Sequence, residues 1–214
     1  VLVAELINKK QTSFSDYLRV VFKGILDPLG TFFNRIGIMP NTMTIFGLVG
    51  NFIGAGLLAT GHITWGGIVV LLMGPVDALD GTMARLRGEA TPFGAFVDSV
   101  TDRYSELVIF GGLLIYFTRQ ENWLASALVY LAAAGSVLVS YVKARAESLD
   151  YEAKVGILTR VERYLVLAPC LVINQPLIAL WVIGLLANLT ALQRIYHVRK
   201  QARAPLPPLE NQNH

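Results

Sequence analysis

Cysteine is all but missing from this sequence. Cys170 is the single one in 214 residues, so one chain can form neither an internal disulfide nor a thiolate metal cluster, and the residue reads as a small buried apolar group. Histidine is nearly as rare: His62, His197 and His214 are scattered, with neither an HExxH run nor paired spacing, which argues against a zinc centre. Charge is sparse, at 15% of residues against 54% hydrophobic. A mean hydropathy of +0.52 lies outside the range of ordinary soluble domains and excludes that class. Also missing are the adjacent aspartates of a prenyl transferase, a basic stripe interleaved with aromatics that would suit nucleic acid, and any internal repeat. Residues 1–12 lack the basic, apolar and small-residue succession of a signal peptide and read as an N-terminal extension or a remnant of one.

What is present is a set of long apolar runs. Crossing roughly 30 Å of hydrocarbon takes about 20 helical residues. Six runs meet or approach that length, near 42–61, 64–84, 94–118, 122–146, 161–174 and 176–196. The expected fold is therefore an all-α integral membrane protein with six transmembrane helices. Basic residues give its orientation, because Lys and Arg flanking the spans are retained in the cytoplasm. Lys9, Lys10, Arg19, Lys23 and Arg35 precede the first span, and Arg85 and Arg87 follow the second. Lys143, Arg145, Lys154, Arg160 and Arg163 lie between the fourth and fifth, and Arg194, Arg199, Lys200 and Arg203 follow the sixth. Of 18 Lys and Arg, only Arg119 falls in a connection on the other side. Both termini are expected in the cytoplasm, and the location expected is a cell membrane, by default a bacterial inner membrane. The net charge of +3 points to an anionic leaflet as charged partner rather than nucleic acid.

Ahead of the spans, Phe14, Tyr17, Leu18, Val21, Ile25, Leu29, Phe32, Phe33 and Ile36 recur at helical spacing, opposed by Ser15, Asp16, Arg19, Lys23 and Arg35. Residues 13–36 are expected to form a juxtamembrane amphipathic helix in the cytoplasmic interface, bent near Pro28. Residues 37–200 form the six-helix domain, and the Pro-rich polar stretch 201–214 reads as a disordered tail.

Against this apolar background stands "GPVDALDGTMARLRGEATPFGAFVDSVTDRYSE", residues 74–106. Asp77 and Asp80 are three apart and Asp98 and Asp102 four apart, so each pair shares a helix face. Ionisable groups inside a membrane are costly and normally face a polar cavity or the bundle interior. Four carboxylates left alone would repel one another, a problem that divalent cations remove. Oxygen donors without His or Cys suit Mg²⁺ or Mn²⁺, and two such ions about 3.5 to 4 Å apart are a common clamp for phosphoryl chemistry. Gly81 and Gly94, beside these carboxylates, permit either close approach of a ligand or close helix packing. Arg85 has the planar fork that suits a phosphate. Intramembrane carboxylates also serve cation transporters, so spacing alone leaves that class open.

The full pattern, Asp77-x-x-Asp80-Gly81-x-x-Ala84-Arg85, eight residues, then Gly94-x-x-x-Asp98-x-x-x-Asp102, resembles the signature of the CDP-alcohol phosphotransferases. The resemblance implies a membrane enzyme that transfers a substituted phosphate from a CDP-linked lipid to an alcohol and releases CMP. By the same resemblance Asp77, Asp80, Asp98 and Asp102 are ligands of two metal ions, both Mg²⁺ with Mn²⁺ as the alternative cation, and Asp102 is also the base for the acceptor hydroxyl. Asn41, Thr42, Met43 and Thr44 in "PNTMT", with Gly81, Arg85 and Thr91, are implied to bind the CDP-lipid. Asn41 or Thr42 is also placed to cap the first span. The family likeness further implies a homodimer.

The acceptor is written in the basic residues at the same membrane level: Lys143, Arg145, Arg160, Arg163 and Arg194. If they converge, their mutual repulsion calls for an anion, most simply the phosphate of a phosphorylated alcohol. "SYVKARAE" and "LTRVERYL" resemble the phosphatidylinositol phosphate synthase branch of the family, although Val161 stands where such relatives carry Pro in an Arg-Pro-Glu-Arg run. The expected reaction joins CDP-diacylglycerol and inositol phosphate. The alternative within the family is a phosphatidylglycerophosphate synthase using glycerol 3-phosphate, since that acceptor also carries a phosphate.

Overall fold

The computed structural model of the chain describes residues 14–89 and 91–203, with side chains from residue 23 onward. Among the described residues there are seven helices and no strand: α1 Phe14–Ile36, α2 Pro40–Ala59, α3 Ile63–Arg87, α4 Pro92–Arg119, α5 Trp123–Glu147, α6 Arg160–Val172 and α7 Pro176–Ala202. Residues 1–12 and most of the tail assigned to 201–214 lie outside the described residues. Residues 201 and 202 do not belong to that tail, because α7 continues through Ala202. Gln201 explains the extension: its amide pairs with the backbone of Glu152 in both directions, at 3.0 and 2.6 Å.

Helices α2, α3, α5 and α7 are long and apolar enough to cross a membrane. They are apolar on more than the inward face. On α2, for example, Ile45, Phe46, Val49, Phe52 and Ile53 are exposed while Met43, Ala55 and Leu58 are buried, the all-round hydrophobicity of a lipid-embedded helix. The other two expected spans are helical but differ in character. Helix α4 dilutes its apolar content with Asp98, Asp102, Arg103 and Glu106, and α6 is only 13 residues long. At about 1.5 Å per residue, α6 covers about 20 Å.

Packing neighbours form a closed circuit: α2, α3, α6, α7, α5, α4 and back to α2. The core between them is built from Leu58, Val70, Phe110, Leu113, Val139, Leu171 and Ile183, with small residues where backbones approach. A methyl group on Gly112 would lie 3.0 Å from the Ala55 Cα, so α2 and α4 touch almost backbone to backbone. Half-buried Asn188 of α7 donates to the carbonyls of Leu131 and Gly184, at 3.1 and 2.7 Å, tying α7 to α5.

Helix α1 lies against α3. Its Leu26, Gly30 and Phe33 face the bundle, whereas Ile25, Leu29, Phe32 and Ile36 are exposed on another face. The helix runs through Pro28 without interruption. Arg87 fastens its end, donating to Asn34 Oδ1 and to the Ile38 carbonyl at 2.7 Å each, while Asn34 donates to the Met83 carbonyl. This residue, read from sequence as a flanking charge, therefore joins two helices.

Candidate active site

Each connection reverses the chain, so alternate helix ends gather on one side. The first turns of α2, α4 and α6 and the last turns of α3, α5 and α7 share one end of the bundle, and the acidic and basic residues expected at the site lie toward it. Asp77 and Asp80 project from the C-terminal half of α3, and Asp98 and Asp102 from the N-terminal half of α4. Asp80 and Asp102 are buried, and Asp77 and Asp98 are half-buried. All four are electrostatic neighbours, since Asp98 acts on each of the other three.

Local contacts aim these carboxylates. Thr44 donates its hydroxyl to Asp80 Oδ2 at 2.6 Å, while Asp80 Oδ1 accepts the backbone N–H of Gly81. Gly47, one turn after Thr44, leaves room for Asp77: a side chain there would collide with its Oδ1. Arg103 donates to Asp102 Oδ2 at 3.3 Å. Arg160 brings its guanidinium between the two acidic helices, pairing with Asp102 Oδ1 and lying 3.5 Å from Asp77 Oδ2. Among the described residues, no three acidic groups close around a single point. The donor set is nevertheless the one a hard divalent cation requires, with carboxylate oxygens only and a demand for positive charge that Arg160 already illustrates.

The remaining residues expected at the CDP-lipid divide. Asn41 and Thr42 are exposed at the first turn of α2, and neither is its cap, because the helix starts after Met39 with Pro40 at its first position and no side-chain cap. Met43 turns inward at 7% exposure to pack with Leu79 and Met83, so the structure does not bring it to the site surface. Arg85 is exposed, its Nη2 donating to Thr82 Oγ1 at 2.9 Å. Thr91 caps α4 by accepting the Gly94 N–H at 3.0 Å. Among the described residues, no atom of another helix lies within 4 Å of a methyl built on Gly81 or Gly94, so no helix contact described there requires either glycine.

The five basic residues also divide. Lys143 and Arg145 are partly or largely exposed on the last turns of α5, with Lys143 3.8 Å from Glu147. Arg160 reaches the carboxylates. Arg163, at 2% exposure, forms a bidentate pair with Glu106 at 2.7 and 3.1 Å and reaches the Leu158 carbonyl. Arg194, at 4%, donates to the carbonyls of Val155 and Val139 at 2.9 and 2.6 Å and so pins the 148–159 connection to α5 and α7. Val161 is the second residue of α6, which starts at Arg160 without a proline, with Thr159 hydrogen-bonded to Glu162 across the first turn.

Sequence reasoning missed Glu106, Gly47, Thr190 and Tyr164. Glu106 was detectable, since it extends the Asp98, Asp102 series by four more residues along the same face. Gly47 and Thr190 carried no such signal: Thr190 accepts the Leu158 N–H at 3.1 Å across 32 residues of chain.

Residues 37–193 match the model of the CDP-alcohol phosphatidyltransferase family. The phosphatidylinositol phosphate synthase of Mycobacteroides abscessus is 36% identical over 192 residues, covering 85% of this chain and 86% of that protein. The protein of the same name from Streptomyces avermitilis is 34% identical over 203 residues, covering 87% and 82%. Among solved structures, the Mycobacterium tuberculosis phosphatidylinositol phosphate synthase with CDP-DAG bound superposes with a TM-score of 0.78 at 28% identity, covering 86% of this chain and 98% of that one. The same protein in complex with manganese and citrate gives 0.75 at 27%, covering 85% and 93%. Because the family model runs from just before α2 into the second half of α7, and so takes in both acidic helices, the chain belongs to the CDP-alcohol phosphatidyltransferase family.

Proposed function

We propose that this multi-pass membrane transferase moves the phosphatidyl group from CDP-diacylglycerol to inositol phosphate, yielding phosphatidylinositol phosphate and CMP. Relatives at 34–36% identity carry that activity in their names, and a solved neighbour holds CDP-DAG. The observation in this chain that carries the reading is the meeting of two acidic helices with Arg160, at the end where Lys143, Arg145 and Arg194 also lie. Asp77, Asp80, Asp98 and Asp102 would hold two Mg²⁺ ions, with Mn²⁺ as the other fitting cation. Once bound, these supply the positive charge that a diphosphate and its leaving CMP require.

The chain's own residues do the rest. Asn41, Thr42, Gly81, Arg85 and Thr91 bind the CDP moiety at the exposed mouth, where the two glycines let the ligand approach the backbone. Thr44 holds Asp80 in its orientation, and Met43 packs behind it. A carboxylate oxygen of Asp102 accepts the acceptor hydroxyl's proton as that oxygen attacks the lipid-side phosphorus. Lys143, Arg145, Arg160 and Arg194 receive the acceptor phosphate, Arg194 through its second terminal nitrogen, which has no hydrogen bond among the described residues. Arg163 is reassigned, because both edges of its guanidinium are committed to Glu106 and Leu158.

In this reading α1 lies in the cytoplasmic interface with Ile25, Leu29, Phe32 and Ile36 toward lipid, and α2 to α7 are the six spans. Both termini are cytoplasmic, residues 13–36 and 37–200 are the juxtamembrane helix and the catalytic domain, and the unit is a homodimer in a bacterial inner membrane. The short helix α6 and the charged α4 are accommodated because their polar groups face one another rather than lipid.

The test is an acceptor panel with purified protein, CDP-diacylglycerol and Mg²⁺, following CMP and the lipid product. Inositol phosphate should be used far better than free inositol. Turnover of glycerol 3-phosphate without turnover of inositol phosphate would keep the phosphate pocket and overturn the acceptor. No CMP from any acceptor would overturn the enzyme reading in favour of cation transport.

A further inference from the structure

Helix α3 contains Pro75, two residues before the first aspartate. Proline has no N–H, so the carbonyl four residues earlier, on Leu71, loses its helical partner and is crowded by the ring. Within a membrane span, water does not make up that loss. The Tyr164 hydroxyl of α6 donates to the Leu71 carbonyl at 2.6 Å, with the Val70 carbonyl 3.4 Å away. Gly74 makes room for it, because a methyl there would lie 2.7 Å from Tyr164 Cε1 and nearer still to the hydroxyl. Pro75 creates the unpaired carbonyl, Gly74 clears the approach and Tyr164 fills it.

Tyr164 is also well placed along its own helix. It follows Arg160 by one turn, on the same face, and adjoins Arg163, which grips Glu106 of α4. Arg160 touches Asp77 and Tyr164 touches Leu71, six residues earlier and about 9 Å along the α3 axis. Helix α6 therefore holds α3 on both sides of Pro75. How the Leu71 carbonyl is satisfied decides the direction in which the turns bearing Asp77 and Asp80 leave the proline.

We infer that Tyr164 is a positioning residue for the α3 carboxylates: its hydroxyl supplies the hydrogen bond that Pro75 denies to Leu71 and thereby sets Asp77 and Asp80 against Asp98 and Asp102. The inference rests on the metal-binding reading of those aspartates and adds to it a group that touches neither metal nor substrate.

The experiment is Mn²⁺ titration of purified protein in detergent, followed by electron paramagnetic resonance, beside steady-state kinetics. Tyr164→Phe should weaken Mn²⁺ binding and raise the half-saturating Mn²⁺ by about fivefold, short of the roughly 10- to 100-fold typical of groups bonded directly to a metal ligand. The KM for CDP-diacylglycerol should stay within about twofold, a split that general loosening of α6 would not produce. Pro75→Ala restores an N–H to Leu71, so Pro75→Ala with Tyr164→Phe should match Pro75→Ala alone in Mn²⁺ binding. If Tyr164→Phe alone does not fold, that pair on the Pro75→Ala background still decides the matter, since the two must agree. Wild-type Mn²⁺ binding in Tyr164→Phe, or no recovery by Pro75→Ala, overturns the inference. Asp98→Asn separates the layers: if it binds Mn²⁺ as well as wild type, the metal reading itself fails.

Discussion

The two ends of the bundle are built on different terms. At one, three-residue connections at 60–62, 120–122 and 173–175 close the chain with local hydrogen bonds, such as His62 N–H to the Leu57 carbonyl and Asn122 capping the Ala125 N–H. Arg119 is the one Lys or Arg beside those connections among the described residues, and it reaches only the Ala59 carbonyl. At the other end the connections include the long 148–159 segment, and ion pairs link helices distant in sequence, Arg160 to Asp77 and Asp102 and Arg163 to Glu106, while Arg194 donates to the carbonyls of Val139 and Val155. The first end is satisfied turn by turn and could change without being felt elsewhere. The second holds its charges only because several helices are present at once. A membrane bundle thus concentrates its costly groups where they compensate one another and leaves the opposite end to ordinary helix caps.

That contrast can be broken most severely at the carboxylates. Asp102→Asn should cut CMP release by about 10² to 10⁴, the range of general-base catalysis, and turnover near wild type would show that the proton goes elsewhere. Next comes Arg163→Gln, which leaves Glu106 without its buried partner. A loss of about 3 kcal/mol in unfolding stability is expected in detergent, with recovery in Arg163→Gln combined with Glu106→Gln. Stability unchanged in the single variant would return Arg163 to the acceptor pocket. Arg160→Gln should act on function rather than on folding, raising the acceptor KM by about tenfold, as expected for one partner of a charge pair close to water, with CDP-diacylglycerol KM little changed.

Smaller effects sharpen the same comparison. Asn188→Ala removes two hydrogen bonds within the bundle and should lower stability by about 0.6 to 1.7 kcal/mol, measurable by thermal unfolding in detergent. Arg119→Gln at the opposite end should stay within about 0.5 kcal/mol of wild type and keep full turnover. An Arg119 effect as large as that of Arg160 would erase the distinction between the ends.

Legibility from sequence followed the same division. The helix boundaries near 42–61 and 122–146 agree with α2 and α5 to within two residues, because long apolar runs punctuated by Gly, Asn and Pro are local signals. The acidic pairs were readable for the same reason, since i, i+3 and i, i+4 spacing places groups on one face whatever surrounds them. Within "PNTMT" adjacency groups Met43 with Thr44, but helical rotation turns its side chain toward Leu79 and Met83. Arg163 and Arg194 looked like free cations, because nothing local shows that Glu106 lies 57 residues before one and the Val139 carbonyl 55 residues before the other.

The sequence by itself determined that this chain is helical and membrane-bound, that its carboxylates sit on two helix faces, and that the family signature is complete over residues 77–102. Those properties depend on composition and on spacing within one helix. Tertiary structure alone decided which groups compensate those charges: Arg160 between Asp77 and Asp102, Thr44 on Asp80, and Tyr164 on the carbonyl that Pro75 leaves unpaired. Each of those partners comes from another helix, and a contact between helices depends on how the whole bundle closes.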